Sequence, residues 1–118
     1  MTAQELGFQL AHIGMNHPGP EEGNATTATL SELFGLPIKE GNSSNFVGSY
    51  FEVMKKPYLG TLGHFSVTTV DCPAAREWLE STGIEFDDST AKYDENGKLK
   101  LVYAKTEIGG FAFHITQR

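Results

Sequence analysis

The stretch Gly63-His64-Phe65-Ser66-Val67-Thr68-Thr69-Val70-Asp71-Cys72-Pro73 decides the reading of the fold. From Leu62 to Val70 it alternates as a strand does, with Phe65 and Val67 on one face and His64, Ser66 and Thr68 on the other. Asp71 then caps a helix from Cys72 to Thr82, with Pro73 in the first turn and Gly83 just past the end. Three more strands follow, at Ile84–Asp87, Leu99–Lys105 and Gly110–Thr116, and Asp94-Glu95-Asn96-Gly97 supplies a hairpin turn.

Working outward, the first half of the chain has the same order. Leu6 to Met15 reads as a strand, and Asn16 to Gly23, with two Pro and two Gly, reads as a loop. Helical spacing runs from Glu21 to Phe34, Gly35 caps it, and Pro37 forbids continuation. Short strands fit Pro37–Glu40, Asn45–Gly48 and Ser49–Met54, with Gly41-Asn42 as a tight turn. The expectation is an α+β fold. Two βαβββ modules, about 6–56 and 61–117, form one domain over residues 1–118.

Composition narrows the function classes. A 39% hydrophobic chain of 118 residues can bury a core, so disorder is not expected. No apolar run reaches the roughly 18 residues of a membrane span. Met1-Thr2-Ala3-Gln4-Glu5 carries no basic flank, so no secretory leader is expected. With 15 acidic and 9 basic side chains the formal charge is −6, and Lys55-Lys56 is the only adjacent basic pair. Nucleic acid and anionic membranes are therefore unsuited as partners. Cys72 stands alone, which excludes a disulfide framework and fits a reducing cytoplasm.

Alternation also places four ionisable side chains. His12, with Leu10 and Gly14, opposes Ala11, Ile13 and Met15; Glu52 opposes Phe51 and Val53; His64 opposes Phe65 and Val67; His114 opposes Phe113 and Ile115. Each strand thus offers an apolar face to a helix and one ionisable group to the other side. Histidines and a carboxylate on converging strands suit a borderline divalent metal. A carboxylate between Phe51 and Val53 is costly to bury unless a cation, a lysine or solvent meets it. The plain alternative for each His is a hydrogen-bonded interior residue. His17 reads as surface, Trp78 as core and Cys72 as inert. Lys55-Lys56 reads as a solvated turn that could receive a carboxylate or phosphate.

The paired modules and Ala11-His12-Ile13-Gly14-Met15-Asn16 resemble the vicinal oxygen chelate superfamily, which includes glyoxalase I, extradiol dioxygenases, and fosfomycin and bleomycin resistance proteins. Phe51-Glu52-Val53-Met54, Gly63-His64-Phe65 and Gly109-Gly110-Phe111-Ala112-Phe113-His114 fall where that superfamily keeps its other ligand strands. The segments Phe51 to Gly60 and Thr90 to Asp94 also look like a domain fused behind some bacterial 2-keto-3-deoxy-6-phosphogluconate/4-hydroxy-2-oxoglutarate aldolases. The aldolase barrel and its Schiff-base lysine are not in these residues, so that label does not pass to them.

The resemblance implies a curved mixed sheet around a cleft, and in that cleft one divalent ion (Zn, Ni, Co, Mn or Fe) on His12, Glu52, His64 and His114. His114 departs from glyoxalase I, which has a glutamate there. It further implies a lyase or isomerase acting on a small 2-oxo compound through a metal-bound enolate or enediolate, with Glu52, or His114 after leaving the metal, as base. Tyr50, Ser66, Thr68 and Tyr103 are candidates for holding the substrate. The alternative is a non-catalytic module that sequesters a drug or binds a 2-oxo acid. A homodimer is expected, with exchange of modules between chains an option because the 55–62 link is short.

Overall fold

The computed structural model describes residues 1–118. Its elements are α1 (Ala3–Leu6), β1 (Gln9–Met15), α2 (Pro20–Phe34), β2 (Ile38–Lys39), β3 (Ser44–Val47), β4 (Phe51–Met54), β5 (Gly63–Thr69), α3 (Cys72–Ser81), β6 (Phe86–Tyr93), β7 (Leu99–Ala104) and β8 (Phe111–Gln117). The order strand, helix, three strands occurs twice, and the class is α+β. All eight strands join one mixed sheet in the order β2-β3-β4-β1-β5-β8-β7-β6. The two halves meet where β1 runs antiparallel to β5; β1 is parallel to β4 and β5 to β8.

Local chemistry accounts for the boundaries. Asp71 accepts from the backbone N–H of Ala74 (3.1 Å) and caps α3. Gly35, at φ +64°, ends α2 in the left-handed region. In the 94–97 turn, Gly97 N–H returns to Asp94 O at 3.0 Å.

Three sequence expectations are corrected. Leu6 belongs to α1 rather than to the first strand: Thr2 and Glu5 form a capping box, and Leu6 is fully buried. The Gly41-Asn42 turn is a longer loop, because Lys39 pairs with Phe46. The strand expected at Ile84–Asp87 is β6, running Phe86–Tyr93, with an irregular register between Asp87 and Lys92. There the Asp87 carboxylate takes the Ser89 N–H (3.0 Å) and hydroxyl (2.6 Å), a local turn that hides the strand pattern.

One face of the sheet carries the helices. α3 packs on β7 and β8. Leu6, Cys72, Ala75, Phe86, Leu99, Val102, Ala104, Phe113 and Ile115 form the apolar core there. α2 packs on β3 and β4 over a more polar layer, in which buried Asn45 donates to Asn24 Oδ1 (3.1 Å) and Thr27 Oγ1 (3.2 Å). Between these helices Phe51, Ile13 and Phe65 stand in register across β4, β1 and β5. Leu10, Ile13, Phe65 and Phe111 line an apolar hollow of about 240 Å³ on this side. Leu10 therefore faces away from His12, against the simple alternation. A bulge between Leu10 and His12 adds Ala11 to β1, so the parity inverts N-terminal to it. No helix is long and apolar enough to cross a membrane.

Candidate metal centre

The opposite face of the sheet curls around a cavity of about 490 Å³. Five adjacent strands contribute side chains to it: Glu52 and Met54 from β4, His12 from β1, His64 from β5, His114 from β8, and Leu101 and Tyr103 from β7. Ser43 and the connector residues Lys56, Pro57 and Tyr58 complete the wall. One chain supplies all of them, so the site requires no exchange of modules.

His12, His64 and His114 lie close enough to hold a metal ion, each offering one ligand atom within 4.8 Å of the others. They converge because β1, β5 and β8 are neighbours. Ser66 stands opposite both His12 and His114, and Gly14 opposite His64. His64 and His114 are buried, at 1% and 6% exposure. Glu52 joins from β4, with Oε1 at 3.4 Å from His12 Nε2 and 3.1 Å from His64 Nε2. Its Oε2 accepts from the Ser44 hydroxyl at 2.8 Å. The pairing that sequence alone left open for Glu52 is therefore with histidines, not with a lysine.

The electrostatics follow from burial and these contacts. Burial by itself would push the Glu52 carboxyl up. Hydrogen bonds from His12, His64 and Ser44 outweigh it and hold the group well below the usual carboxylate range. Burial, with His64 and His12 nearby, pushes His114 down to about 4, so it is a neutral imidazole at pH 7. Its Nδ1 is engaged by Thr116 Oγ1 at 2.8 Å, which fixes the ring and leaves Nε2 outside that bond. Burial raises the Tyr103 hydroxyl well above its ordinary value, with Tyr58 and Glu52 adding to the shift, so it stays a donor.

The residues fit a divalent ion. Three imidazole nitrogens and one carboxylate are a borderline-metal donor set. His64 Nδ1 is moreover buried without a hydrogen-bond partner, a polar demand that the protein itself does not meet.

Two glycines let the strands approach this closely. A Cβ at Gly14 would fall on the His64 ring. Gly63, at φ +153°, lies against the Gly14 carbonyl, where any side chain would collide. Asn16 ties down the connector: its Nδ2 donates to Tyr58 O (3.2 Å) and Gly60 O (2.9 Å), while its Oδ1 accepts from Tyr58 N–H (3.2 Å). Tyr58 thereby sits edge-on to His64 and Tyr103, with ring centroids 6.0 and 6.1 Å away.

Of the four substrate candidates, Tyr103 lines the cavity. Tyr50 is 62% exposed and does not. Ser66 is buried between the His12 and His114 strands, and Thr68 is engaged with Gln9 O and the Arg118 guanidinium. His17 is not plain surface. Its Nδ1 lies 3.1 and 2.9 Å from Met15 O and Met54 O, and its Nε2 lies 2.7 Å from Thr26 Oγ1, linking β1, β4 and α2. Cys72 is buried and its thiol is pushed up to about 11, first by burial and then by Asp71, which agrees with an inert role. Ser43, Ser44, Tyr58 and the placement of Lys56 had no signal in strand alternation, because they lie in loops or at a strand end. Comparison with protein-family profiles and with curated protein sequences finds no match to either.

Gly14→Ala should push the His64 ring aside while the sheet persists. Isothermal titration with Zn²⁺ should then give an affinity about tenfold weaker or worse, with the far-ultraviolet spectrum unchanged; wild-type affinity would contradict the contact. A pH effect follows from His114. Its folded value of about 4 lies below the 6.5 of the unfolded chain, so between those values the unfolded state takes up a proton that the folded state refuses. Stability of metal-free protein should fall as pH drops from 6.5 toward 4, by at most about 1.4 kcal/mol per pH unit from this group. Urea unfolding at pH 7 and pH 5 checks this, and His114→Gln should flatten the dependence.

Proposed function

We propose that this chain is a divalent-metal-dependent lyase or isomerase of glyoxalase type acting on a small 2-oxo compound, in the manner of the vicinal oxygen chelate superfamily. The observation that carries the reading is the convergence of His12, His64 and His114 with Glu52 in one cavity, where His64 keeps an unpartnered buried nitrogen. The repeated strand-helix-three-strand order and the curled sheet support the superfamily reading.

His12, Glu52, His64 and His114 would hold the ion, which when bound supplies a Lewis acid that polarises substrate oxygens and steadies negative charge developing on them. The protein's own groups do the rest. Glu52, fixed through Oε2 by Ser44, presents a carboxylate, and His114 would present its Nε2 only when that nitrogen is not holding the ion; these are the two groups able to take a proton from the carbon beside a carbonyl. Tyr103 stays protonated and donates to a substrate oxygen. Met54, Pro57 and Leu101 give the wall an apolar part that limits water around the reacting carbon.

A homodimer belongs to the same proposal, with a second copy covering the helix-bearing face. The Phe51-Ile13-Phe65 row, with Leu10 at 55% and Phe34 at 61% exposure, is a contiguous apolar strip. It is centred near the β1–β5 seam, about which the strand order mirrors itself, so a rotated copy presents a matching surface.

Purified protein loaded with divalent metal and then desalted should retain about one ion per chain by elemental analysis, and His64→Ala should lose it. No retained ion would sink the reading. Glu52→Gln should cut turnover of 2-oxo compounds by about a hundredfold or more. Should it leave ligand affinity intact in a protein that never turns over, the chain is a binding module instead. Light scattering should give twice the 12.9 kDa chain mass, reverting to one chain in Leu10→Asp; a monomeric wild type would remove the dimer.

A further inference from the structure

Beside the metal cavity opens a second hollow of about 240 Å³, lined by Pro20, Asn42, Ser43, Lys55 and Lys56. It shares Ser43 and Lys56 with the first, so both residues border the two spaces. Apart from Pro20 its side chains are polar, and both charged ones are cationic. In a chain of net charge −6 that is a local reversal of sign. Neither lysine pairs with a carboxylate. Lys55 Nζ is steadied by a hydrogen bond to Gly41 O at 2.7 Å. The first turn of α2 beside them carries Glu21 and Glu22, so the helix end adds no surplus positive field and the lysines carry the recognition.

The charge of the main cavity points the same way. Among its lining residues Glu52 is the only carboxylate and Lys56 the only fixed cation. A divalent ion on this donor set would leave one positive charge after Glu52, and Lys56 adds a second. A monoanion neutralises only part of that charge.

Resting on the function proposed above, we infer that the substrate carries a second, far anionic group: a 2-oxo compound whose near oxygens enter the histidine cluster and whose far end carries a carboxylate or phosphate seated on Lys56, with Ser43, Asn42 and Lys55 around it. The sequence-level reading of Lys55-Lys56 as a solvated turn then holds only for the empty protein. Lys56 is the specificity-determining residue. It acts on affinity for the far group and takes no part in proton transfer.

The experiment uses Co²⁺-loaded protein, whose visible spectrum reports ligands arriving at the ion. The probes are pyruvate, a monoanion; 2-oxoglutarate, with a far carboxylate; and phosphohydroxypyruvate, with a far phosphate. A charge-assisted hydrogen bond is worth about tenfold or more in affinity, so at least one probe with a far anion should bind about tenfold tighter than pyruvate, and which one identifies the far group. Lys56→Gln should erase that advantage while leaving pyruvate affinity within about twofold, and Lys56→Arg should keep most of it. Equal affinity for all three probes, or a far-anion advantage that survives Lys56→Gln, would overturn the inference while the metal reading stands. A protein that retains no Co²⁺ would overturn the metal reading, and this inference with it.

Discussion

The antiparallel seam between β1 and β5 is the constraint on which the rest of the structure depends. It is the only strand pairing that joins the two halves of the chain, and it brings His12 of one half beside His64 of the other. Its closeness requires Gly14 and Gly63, because either Cβ would collide with the facing strand or the His64 ring. The parallel partners β4 and β8 flank this seam and deliver Glu52 and His114 to the same side. A single pairing therefore decides both the continuity of the sheet and the composition of the site.

The two halves pay for their stability differently. α3 covers an apolar core in which Val102 and Ile115 are fully buried, whereas α2 sits over Asn45 and Thr27, joined by side-chain hydrogen bonds. Directional bonds of this kind fix α2 in one register but contribute less than apolar burial of the same area. The result is a half with an apolar core that carries His64, His114 and Tyr103, and a half with a more polar interior that carries His12, Glu52 and the lysines. The connector between them is not a passive link. Asn16 holds its backbone so that Tyr58 closes over the histidines.

The cluster also explains why Glu52 tolerates its position. A carboxylate partly withdrawn from water needs donors, and it finds three in His12, His64 and Ser44. The histidines in turn are left with incomplete hydrogen bonding, most plainly at His64 Nδ1. Such mutual dependence of buried polar groups is stable as a unit and sensitive to loss of any member.

Much of this was legible in the chain itself. Period-two alternation, the Asp71 cap and the Gly35 stop locate the two longer helices, α2 and α3, and most strands, because these signals act within a few residues of one another. The same alternation singles out His12, Glu52, His64 and His114 as the ionisable groups on otherwise apolar strands. What alternation could not reach was the bulge at Ala11, which turned Leu10 to the other face, and the extension of β6 through Tyr93, both products of pairing with a partner strand. Tyr50 fell outside the cavity and Lys56, Tyr58 and Ser43 fell inside it for a related reason: loop residues have no periodicity, and their direction is set by contacts such as those of Asn16. The sequence by itself thus determined the elements and their chemical faces, since these depend on local backbone sterics. Only the tertiary structure decided which faces meet, because strand order and close approach are settled by contacts between residues some fifty positions apart, as with Gly14 and His64.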